Sequence, residues 1–127
     1  MLQQAPLYAY IPARDLARAR TFYEGKVGLK PKQEIAGGVA YDFGQGTACF
    51  LYQTDNAGTS KASQAFWQVQ GIEREVAELE KRGVKFEDYD APGMKKVGGH
   101  VFADDEGVKA AWFKDSEGNI LALIQMA

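Results

Sequence analysis

The sequence predicts an α+β fold built from two copies of one strand–helix–strands unit. Residues 8–11 (Tyr-Ala-Tyr-Ile) recur as residues 64–67 (Gln-Ala-Phe-Trp), 56 positions later. Residues 46–53, which begin with glycine and end with glutamine, recur as residues 118–125, 72 positions later. Each copy in so short a chain supplies half of a core, so the two copies must cover each other. The surface between them is the natural place for a binding site.

Length and composition are those of one ordinary globular domain. The chain has 127 residues, of which 46% are hydrophobic and 25% are charged, as in typical soluble domains. Its net charge is −2 and the charged residues are scattered, so no nucleic-acid partner is expected. Cys49 is the only cysteine, which excludes an intramolecular disulfide and a multi-cysteine metal site. Without a signal-peptide pattern or a membrane-length apolar run, we expect a cytoplasmic protein with no membrane partner.

We expect residues 1–127 to form a single domain with three parts. The first module covers about residues 5–53, a linker covers about residues 54–62, and the second module covers about residues 63–126. The linker assignment rests on the small and polar side chains of residues 54–62, which are typical of a connecting segment.

The first module should contain a strand at residues 7–11, which Pro12 closes, and then a helix. Asp15 is a suitable N-cap for that helix, because its carboxylate can accept hydrogen bonds from free backbone N–H groups of the first turn. The helix should end near residues 25–28, where two glycines occur. Three strands are expected after it, at residues 29–34, 39–43 and 47–52.

The second module repeats this pattern with a longer insertion. Ile72, Val76 and Leu79 form the apolar stripe of a helix. Strands are expected at residues 85–89, 109–114 and 119–125. Residues 90–108, between the first two of these strands, form a longer loop than their counterpart in the first module. Long loops in compact domains are commonly lids or site walls.

Side-chain alternation along the strands separates a core face from a second face. Small and apolar residues occupy the face that suits burial beneath the helices. Cys49 and Trp67 share that parity, so both are predicted to be core residues. Trp112 and Phe113 compete for the buried side, and the pattern leaves both assignments open.

The second face combines aromatic rings with phenols and amides, which is typical of a small-molecule pocket. We therefore expect a ligand-binding cleft lined by Tyr8, Tyr10, Phe50, Tyr52, Gln64, Phe66 and Gln68. The long loop should place Met94, His100 and Phe102 at its rim. The alternative is a second core between the two sheets, in which Tyr8, Gln64 and Gln68 would all need hydrogen-bond partners.

Three motifs stand out along the chain: residues 13–16 (Ala-Arg-Asp-Leu), residues 22–29, which contain Phe-Tyr-Glu and Val-Gly-Leu, and residues 112–119, which end in Asp-Ser-Glu-Gly-Asn. With them, nearly the whole chain resembles the vicinal-oxygen-chelate superfamily, the glyoxalase, bleomycin-resistance and dioxygenase group. The resemblance implies two tandem βαβββ modules whose eight strands curl into a half-open cup. It also implies a homodimer, because single-domain members of the family generally associate in pairs.

The resemblance further indicates where a divalent metal would bind. Members that use a metal place His or Glu at one position on each of four strands, and the matching positions here are Tyr8, Phe50, Gln64 and Ala122. None of the four is His, Cys, Asp or Glu, whereas such metals need imidazole, thiolate or carboxylate ligands. We therefore expect no metal and no other cofactor.

The candidate catalytic residues are Tyr8 and His100. Histidine exchanges protons readily near neutral pH, but a lone histidine between glycine and valine in a loop is more often an exposed loop residue. Tyr8 occupies a former metal position and could hydrogen-bond or protonate a substrate oxygen. We interpret it first as a ligand contact.

These observations predict a small-molecule-binding protein with an aromatic cleft that works without metal. The alternative is a glyoxalase-like enzyme, a lyase or isomerase acting on a small oxygenated substrate. A third interpretation is a structural interaction module whose cleft has been filled by side chains. The identity of the ligand and the arrangement of the dimer are open at the level of sequence.

Overall fold

Two β-sheets, one from each half of the chain, form the frame of the protein. The structure, a computed structural model, describes residues 1–127. The strands of the first half are β1 (Ala9–Ala13), β2 (Gln33–Ile35), β3 (Gly38–Asp42) and β4 (Ala48–Gln53). Those of the second half are β5 (Ser63–Gln68), β6 (Phe86–Glu87), β7 (Lys95–Gly98), β8 (Val101–Ala103), β9 (Lys109–Lys114) and β10 (Ile120–Gln125).

One α-helix follows the first strand of each sheet. The helix α1 (Leu16–Arg20) begins at Asp15, whose carboxylate accepts a hydrogen bond from the backbone N–H of Arg18 at 3.0 Å. The predicted N-cap is therefore confirmed. A π-helical turn (Thr21–Lys26) extends α1. The second helix, α2 (Ile72–Lys81), is the longest, and neither helix is long and apolar enough to cross a membrane.

The strand pairing of the first sheet recurs in the second, which has two additional strands, β7 and β8. The first sheet has the strand order β1-β4-β3-β2, and the second has the order β5-β10-β9-β8-β7, with β6 also paired to β9. In each sheet the first strand runs parallel to the last strand and lies at the edge. The predicted α+β fold with two βαβββ modules is confirmed.

The structure corrects two local predictions. Pro12 lies inside β1 instead of closing it. Proline lacks a backbone N–H, but β1 is an edge strand with a single neighbour, so the missing donor is tolerated there. The predicted loop at residues 90–108 contains the β7–β8 hairpin, which raises the number of strands from eight to ten. All residues of β7 are exposed, so no alternation of buried and polar side chains marks it in the sequence.

Both helices pack on the same side of the sheets, and Phe113 lies at the centre of the core between them. Its ring is fully buried, with ring centroids of Phe22 and Trp67 at 6.2 Å and that of Phe86 at 5.4 Å. Phe113 therefore takes the buried side of β9, and Trp112 faces away from the helices. Cys49 is buried in the same core, as predicted.

The two modules are joined by polar contacts of the 115–119 turn between β9 and β10. The Asp115 carboxylate is buried and accepts hydrogen bonds from the backbone N–H groups of Glu117 and Asn119, both at 2.9 Å. It also accepts a hydrogen bond from the Tyr23 hydroxyl of the first module at 2.5 Å. The Asn119 amide donates to the carbonyl oxygen of Pro12 at 2.7 Å. This turn therefore fixes the end of β1 and the following helix against the second sheet.

The Glu117 carboxylate completes this junction. It accepts two hydrogen bonds from the Arg18 guanidinium, at 2.8 and 2.9 Å, and one from each of the backbone N–H groups of Arg14 and Asp15, at 3.0 Å. The bond from Arg18 is the largest cause that holds the pKa of Glu117 at about 2. Glu117 is therefore ionised in the folded protein at neutral pH. Its negative charge lies next to the N-terminus of α1, where negative charge is favourable.

Candidate functional site

A groove of about 740 Å³ lies between the two modules. Its walls come from the segment around β1, from the 43–47 turn with the start of β4, and from residues 64–70 of and after β5. The strands β1 and β5 are the edge strands of their sheets, so neither has a second strand partner. The groove is therefore the gap between the two sheet edges, on the surface that the repeat predicts as a site.

Aromatic and aliphatic side chains form the inner part of the groove. Trp67 is half-buried, with its ring stacked on Phe113 at an interplanar angle of 14° and in an edge contact with Phe43 at 5.6 Å. Leu29 and Leu121 line the same part. Trp67 was predicted to be a core residue, and it does pack against the core, but its other side faces the groove.

The groove lining contains no Asp, Glu, Lys, Arg or His. Its polar side chains are Tyr8, Tyr23, Thr47, Gln45, Gln64, Gln68 and Gln70. Amides and hydroxyls can both donate and accept hydrogen bonds without carrying charge. The lining therefore suits an uncharged molecule with apolar surface and a few polar atoms.

Two lining residues, Cys49 and Tyr23, carry groups whose pKa is raised, so both are held neutral. Burial raises the pKa of the Cys49 thiol to about 12, so the nucleophilic thiolate is not formed near neutral pH. Burial and the neighbouring Asp115 carboxylate raise the pKa of Tyr23 well above its ordinary value. The Tyr23 hydroxyl already donates to Asp115, so it is committed to the junction between the modules.

Four of the predicted cleft residues line the groove. Tyr8 lies on one wall, and Gln64, Phe66 and Gln68 lie on the other. The rings of Tyr8 and Phe66 are about half-exposed, at 52% and 55% of their surface. Gln64 is the extra residue of a β-bulge, because the register between β5 and β10 shifts between the Ser63–Ile120 and Ala65–Leu121 pairs.

Three other predicted residues form an aromatic cluster on the first sheet, outside the groove lining. The rings of Tyr10 and Tyr52 lie 3.8 Å apart between centroids, and Tyr10 lies 6.0 Å from Phe50. Tyr10 and Phe50 are paired across β1 and β4, so they share a face of the sheet. This face is opposite the buried Ile11 and Leu51 and therefore away from the helices.

The predicted rim residues belong to the β7–β8 hairpin and its surroundings, also outside the groove lining. His100 is hydrogen-bonded through Nδ1 to Asp88 at 2.7 Å, and Met94 is half-buried. Phe102 packs in an edge contact against Trp112 at 5.7 Å, and Trp112 in turn contacts Tyr89 at 6.1 Å. Trp112 thus packs under the hairpin on the face of the second sheet away from the helices.

Sequence reasoning missed the part of the groove formed by the 43–47 turn. Phe43, Gln45 and Thr47 line it opposite Gln70. The glycines at positions 44 and 46 predict a turn, but no local pattern indicates that it approaches residues 68–70. That proximity results from how the two modules are packed.

The four positions that the family resemblance assigns to a metal offer no suitable ligand set here. Tyr8 and Gln64 line the groove, Phe50 packs in the aromatic cluster, and Ala122 is buried between its strand neighbours Phe66 and Trp112. A phenol, an amide, a phenyl ring and a methyl group offer no chelating set for a divalent transition metal. No group of three or more His, Cys, Asp or Glu side chains elsewhere is arranged to hold a metal ion.

Comparison with known proteins establishes the family. The model of the Glyoxalase/Bleomycin resistance protein/Dioxygenase superfamily matches residues 6–123. The chain therefore belongs to this superfamily. None of the curated proteins matches the sequence.

Solved structures of similar fold span almost the whole chain. A putative glyoxalase family protein from Bacillus anthracis has a TM-score of 0.71 at 17% identity, covering 98% of this chain and 96% of its own. TnmS3, an antibiotic binding protein from Streptomyces sp. CB03234, has a TM-score of 0.68 at 20% identity, covering 98% of both chains. Lactoylglutathione lyase from Agrobacterium tumefaciens has a TM-score of 0.69 at 14% identity, covering 96% of this chain and 93% of its own. These likenesses show a common fold.

Proposed function

We propose that the protein binds an uncharged, partly aromatic small molecule in the groove between β1 and β5, without a metal ion. The observation that carries this proposal is the composition of the lining, which combines Trp67, Phe43, Phe66 and Tyr8 with glutamine amides and lacks charged side chains. Aromatic rings bind other rings by stacking or edge contacts, and the amides can orient the polar atoms of the ligand.

The neutral lining also favours binding over acid–base chemistry. General acid–base catalysis needs a side chain that can exchange a proton near the working pH. No carboxylate or histidine lines the groove, and the Cys49 thiol, with its pKa raised to about 12 by burial, stays protonated. A structural relative, TnmS3, is described as an antibiotic binding protein, which supports a binding role for a chain of this fold.

A matched pair of fluorescent probes tests the proposal. N-phenyl-1-naphthylamine is uncharged, and 8-anilinonaphthalene-1-sulfonate carries the same two aromatic groups with an added sulfonate. We expect the uncharged probe to bind saturably with one molecule per chain. The sulfonate should bind at least about tenfold more weakly, because a charge placed among neutral side chains loses its hydration without gaining a partner.

Equal or tighter binding of the sulfonate would contradict an uncharged ligand. The metal-free part of the proposal is tested by dialysis against a chelator, after which the affinity for N-phenyl-1-naphthylamine and the Tm should be unchanged. A stoichiometric metal that survives dialysis, and whose removal lowers the Tm, would contradict it.

We also propose that the protein is a homodimer. Outside the groove, Tyr10 exposes 62% of its surface beside Tyr52 and Phe50 on the face of the first sheet away from the helices. Large contiguous apolar patches on soluble proteins mark interaction sites. Sedimentation velocity should show a dimer that Tyr10→Asp converts to a monomer. A monomeric wild-type protein at all accessible concentrations would refute this.

A further inference from the structure

A second, smaller cavity adjoins the groove at the end near the N-terminal segment. It has a volume of about 280 Å³, and we refer to it as the annex. Five residues line both the groove and the annex: Leu7, Tyr8, Phe43, Thr47 and Ala48. A molecule held in the groove can therefore reach the annex past Tyr8 without leaving the protein surface.

The strand register explains the shape of the annex. Asp42 of β3 is paired with Ala48 of β4, and Cys49 is paired with Ala9 of β1. Continued by one residue, this register aligns Tyr8 with Ala48. Tyr8 and Asp42 therefore lie on opposite sides of Ala48. Because the methyl group of Ala48 is small, the row from Tyr8 to Asp42 has a hollow at its centre.

The annex differs from the groove in its electrostatics. Lys32 and Asp42 are its only charged residues, and they form an ion pair at 2.8 Å between Nζ and Oδ2. Both side chains are about half-exposed or more, at 62% and 49% of their surface, so the pair is open to a ligand as well as to water. The ammonium group is a hydrogen-bond donor only, and the carboxylate is an acceptor only.

A donor beside an acceptor of opposite charge recognises neighbouring hydroxyl groups well. One hydroxyl can donate to the Asp42 carboxylate while the next accepts from the Lys32 ammonium, and hydrogen bonds to charged groups are the stronger ones. The pair has no net charge, so an uncharged group is accepted without a counterion. A carboxylate on the ligand would be repelled by Asp42, and an ammonium by Lys32.

We infer that the annex binds an uncharged polyhydroxyl substituent, such as a sugar, on a ligand whose aromatic body occupies the groove. This inference rests on the proposed function, because the annex alone is small, at about 280 Å³. It specifies the ligand class further, as an aromatic compound joined to a hydroxylated appendage. The residues that select the appendage are Lys32 and Asp42, with Tyr8 at the boundary between the two cavities.

The experiment uses three coumarins as competitors against N-phenyl-1-naphthylamine bound to the full-length protein. They are 7-methoxy-4-methylcoumarin, which has no sugar, 4-methylumbelliferyl β-D-glucoside and 4-methylumbelliferyl β-D-glucuronide. The glucoside should displace the probe at an about threefold to tenfold lower concentration than the sugar-free coumarin, the range expected for one or two added hydrogen bonds. The glucuronide, which replaces one hydroxymethyl group of the sugar by a carboxylate, should bind more weakly than the glucoside.

A double variant, Lys32→Met with Asp42→Asn, should remove the advantage of the glucoside and leave the affinity of the sugar-free coumarin unchanged. Exposed ion pairs contribute little to stability, so this variant should fold normally. The matched control is Lys96→Met with Asp88→Asn. It removes another exposed Lys–Asp pair, with a distance of 2.7 Å, that lines neither cavity. The control should keep the preference for the glucoside.

The outcomes separate this inference from the proposed function. If N-phenyl-1-naphthylamine does not bind at all, the proposed function fails and the annex inference fails with it. If the probe binds but the glucoside has no advantage over the sugar-free coumarin, only the annex inference is overturned. It is also overturned if the glucuronide binds more tightly than the glucoside, or if the double variant keeps the preference.

Discussion

Two turns occupy equivalent positions in the repeat, and only one of them holds the modules together. The 43–47 turn precedes β4 as the 115–119 turn precedes β10, 72 residues later. In the second module, Asp115, Glu117 and Asn119 are buried and bind the first module. In the first module, residues 44–47 are exposed, and the hydrogen bonds of the turn stay within it.

The groove lies where the 43–47 turn lacks the hydrogen bonds to the other module that the 115–119 turn makes. Residues 12–14, which receive the 115–119 turn, correspond to residues 68–70 at the repeat offset of 56. Residues 68–70 line the groove opposite the 43–47 turn. Gln45 stands where the other turn has Glu117, whose carboxylate accepts from the backbone N–H groups of Arg14 and Asp15. The 43–47 turn therefore has no carboxylate to bind backbone N–H groups across the gap. The same turn of the repeat therefore joins the modules in one copy and forms part of a groove wall in the other.

The largest expected effect is that of Asp115→Ala. The substitution leaves the buried Tyr23 hydroxyl without its acceptor and the Asn119 amide without one of its two acceptors. It also removes the acceptor of two turn N–H groups. We expect a loss of about 3–5 kcal/mol in the free energy of unfolding, measured by urea denaturation. Thr47→Ala, which removes one exposed hydrogen bond in the other turn, should cost less than about 1 kcal/mol. Similar losses for the two variants would refute the contrast between the turns.

A pair of glycine variants compares packing at the two turns. Gly58 has φ of +73°, and a Cβ there would collide with the carbonyl oxygen of Glu117. We expect Gly58→Ala to cost about 2–4 kcal/mol, from backbone strain and overpacking together. Gly46 has φ of +77° with open space around it, so Gly46→Ala should cost about 1 kcal/mol from the backbone alone. Thermal unfolding of both variants checks this, and equal Tm values would show that Gly58 is not tightly packed.

The junction should also respond to acid through Glu117. Its pKa is lowered from 4.5 to about 2 in the folded protein, so its stabilisation is fully present above about pH 4.5 and is lost as the pH falls toward 2. Glu117→Gln should cost about 2–3 kcal/mol at neutral pH. The difference from wild type should shrink at about pH 2.5, as measured by urea denaturation.

The control for this pH dependence is Glu78→Gln, which removes an exposed carboxylate on α2 that pairs with Arg82 at 3.6 Å. It should change the free energy of unfolding by less than about 1 kcal/mol at both pH values. If the difference in free energy of unfolding between wild type and Glu117→Gln stays constant with pH, the carboxylate acts through its shape and not through its charge.

On the groove side, Phe66→Ala should weaken binding of N-phenyl-1-naphthylamine by about 1–3 kcal/mol, because it removes an aromatic wall. Val97→Ala is the matched control, since Val97 is as exposed as Phe66 but lies outside the groove lining. Isothermal titration calorimetry on the two variants checks the location of the site. An equal or larger loss for Val97→Ala would contradict a binding site in the groove.

The smallest expected effect is that of Tyr8→Phe, which removes only a hydroxyl. A ligand that hydrogen-bonds to it should lose about 1 kcal/mol of affinity. For the glyoxalase-like alternative, in which Tyr8 is a catalytic residue, binding would hold while turnover collapses. If the wild-type protein turns over a substrate and Tyr8→Phe binds it with unchanged affinity but without turnover, the function is catalysis and not binding alone.

The elements that depend on local chemistry could be predicted from the sequence. The repeat offsets predict two equivalent modules, and alternation places Ile11 and Leu51 in the core, where they are buried. The Asp15 cap was predictable for the same reason, because its hydrogen bond joins residues three positions apart.

The way in which the two modules meet depends on long-range packing and could not be predicted. The contacts of Glu117 with Arg18 and of Asn119 with Pro12 join residues 99 and 107 positions apart, so no local pattern indicates them. The same holds for the 43–47 turn as a wall of the groove and for the annex between Tyr8 and Asp42. A strand pattern fixes which face of a strand a side chain occupies, whereas the packing of two sheets fixes which of those faces come together.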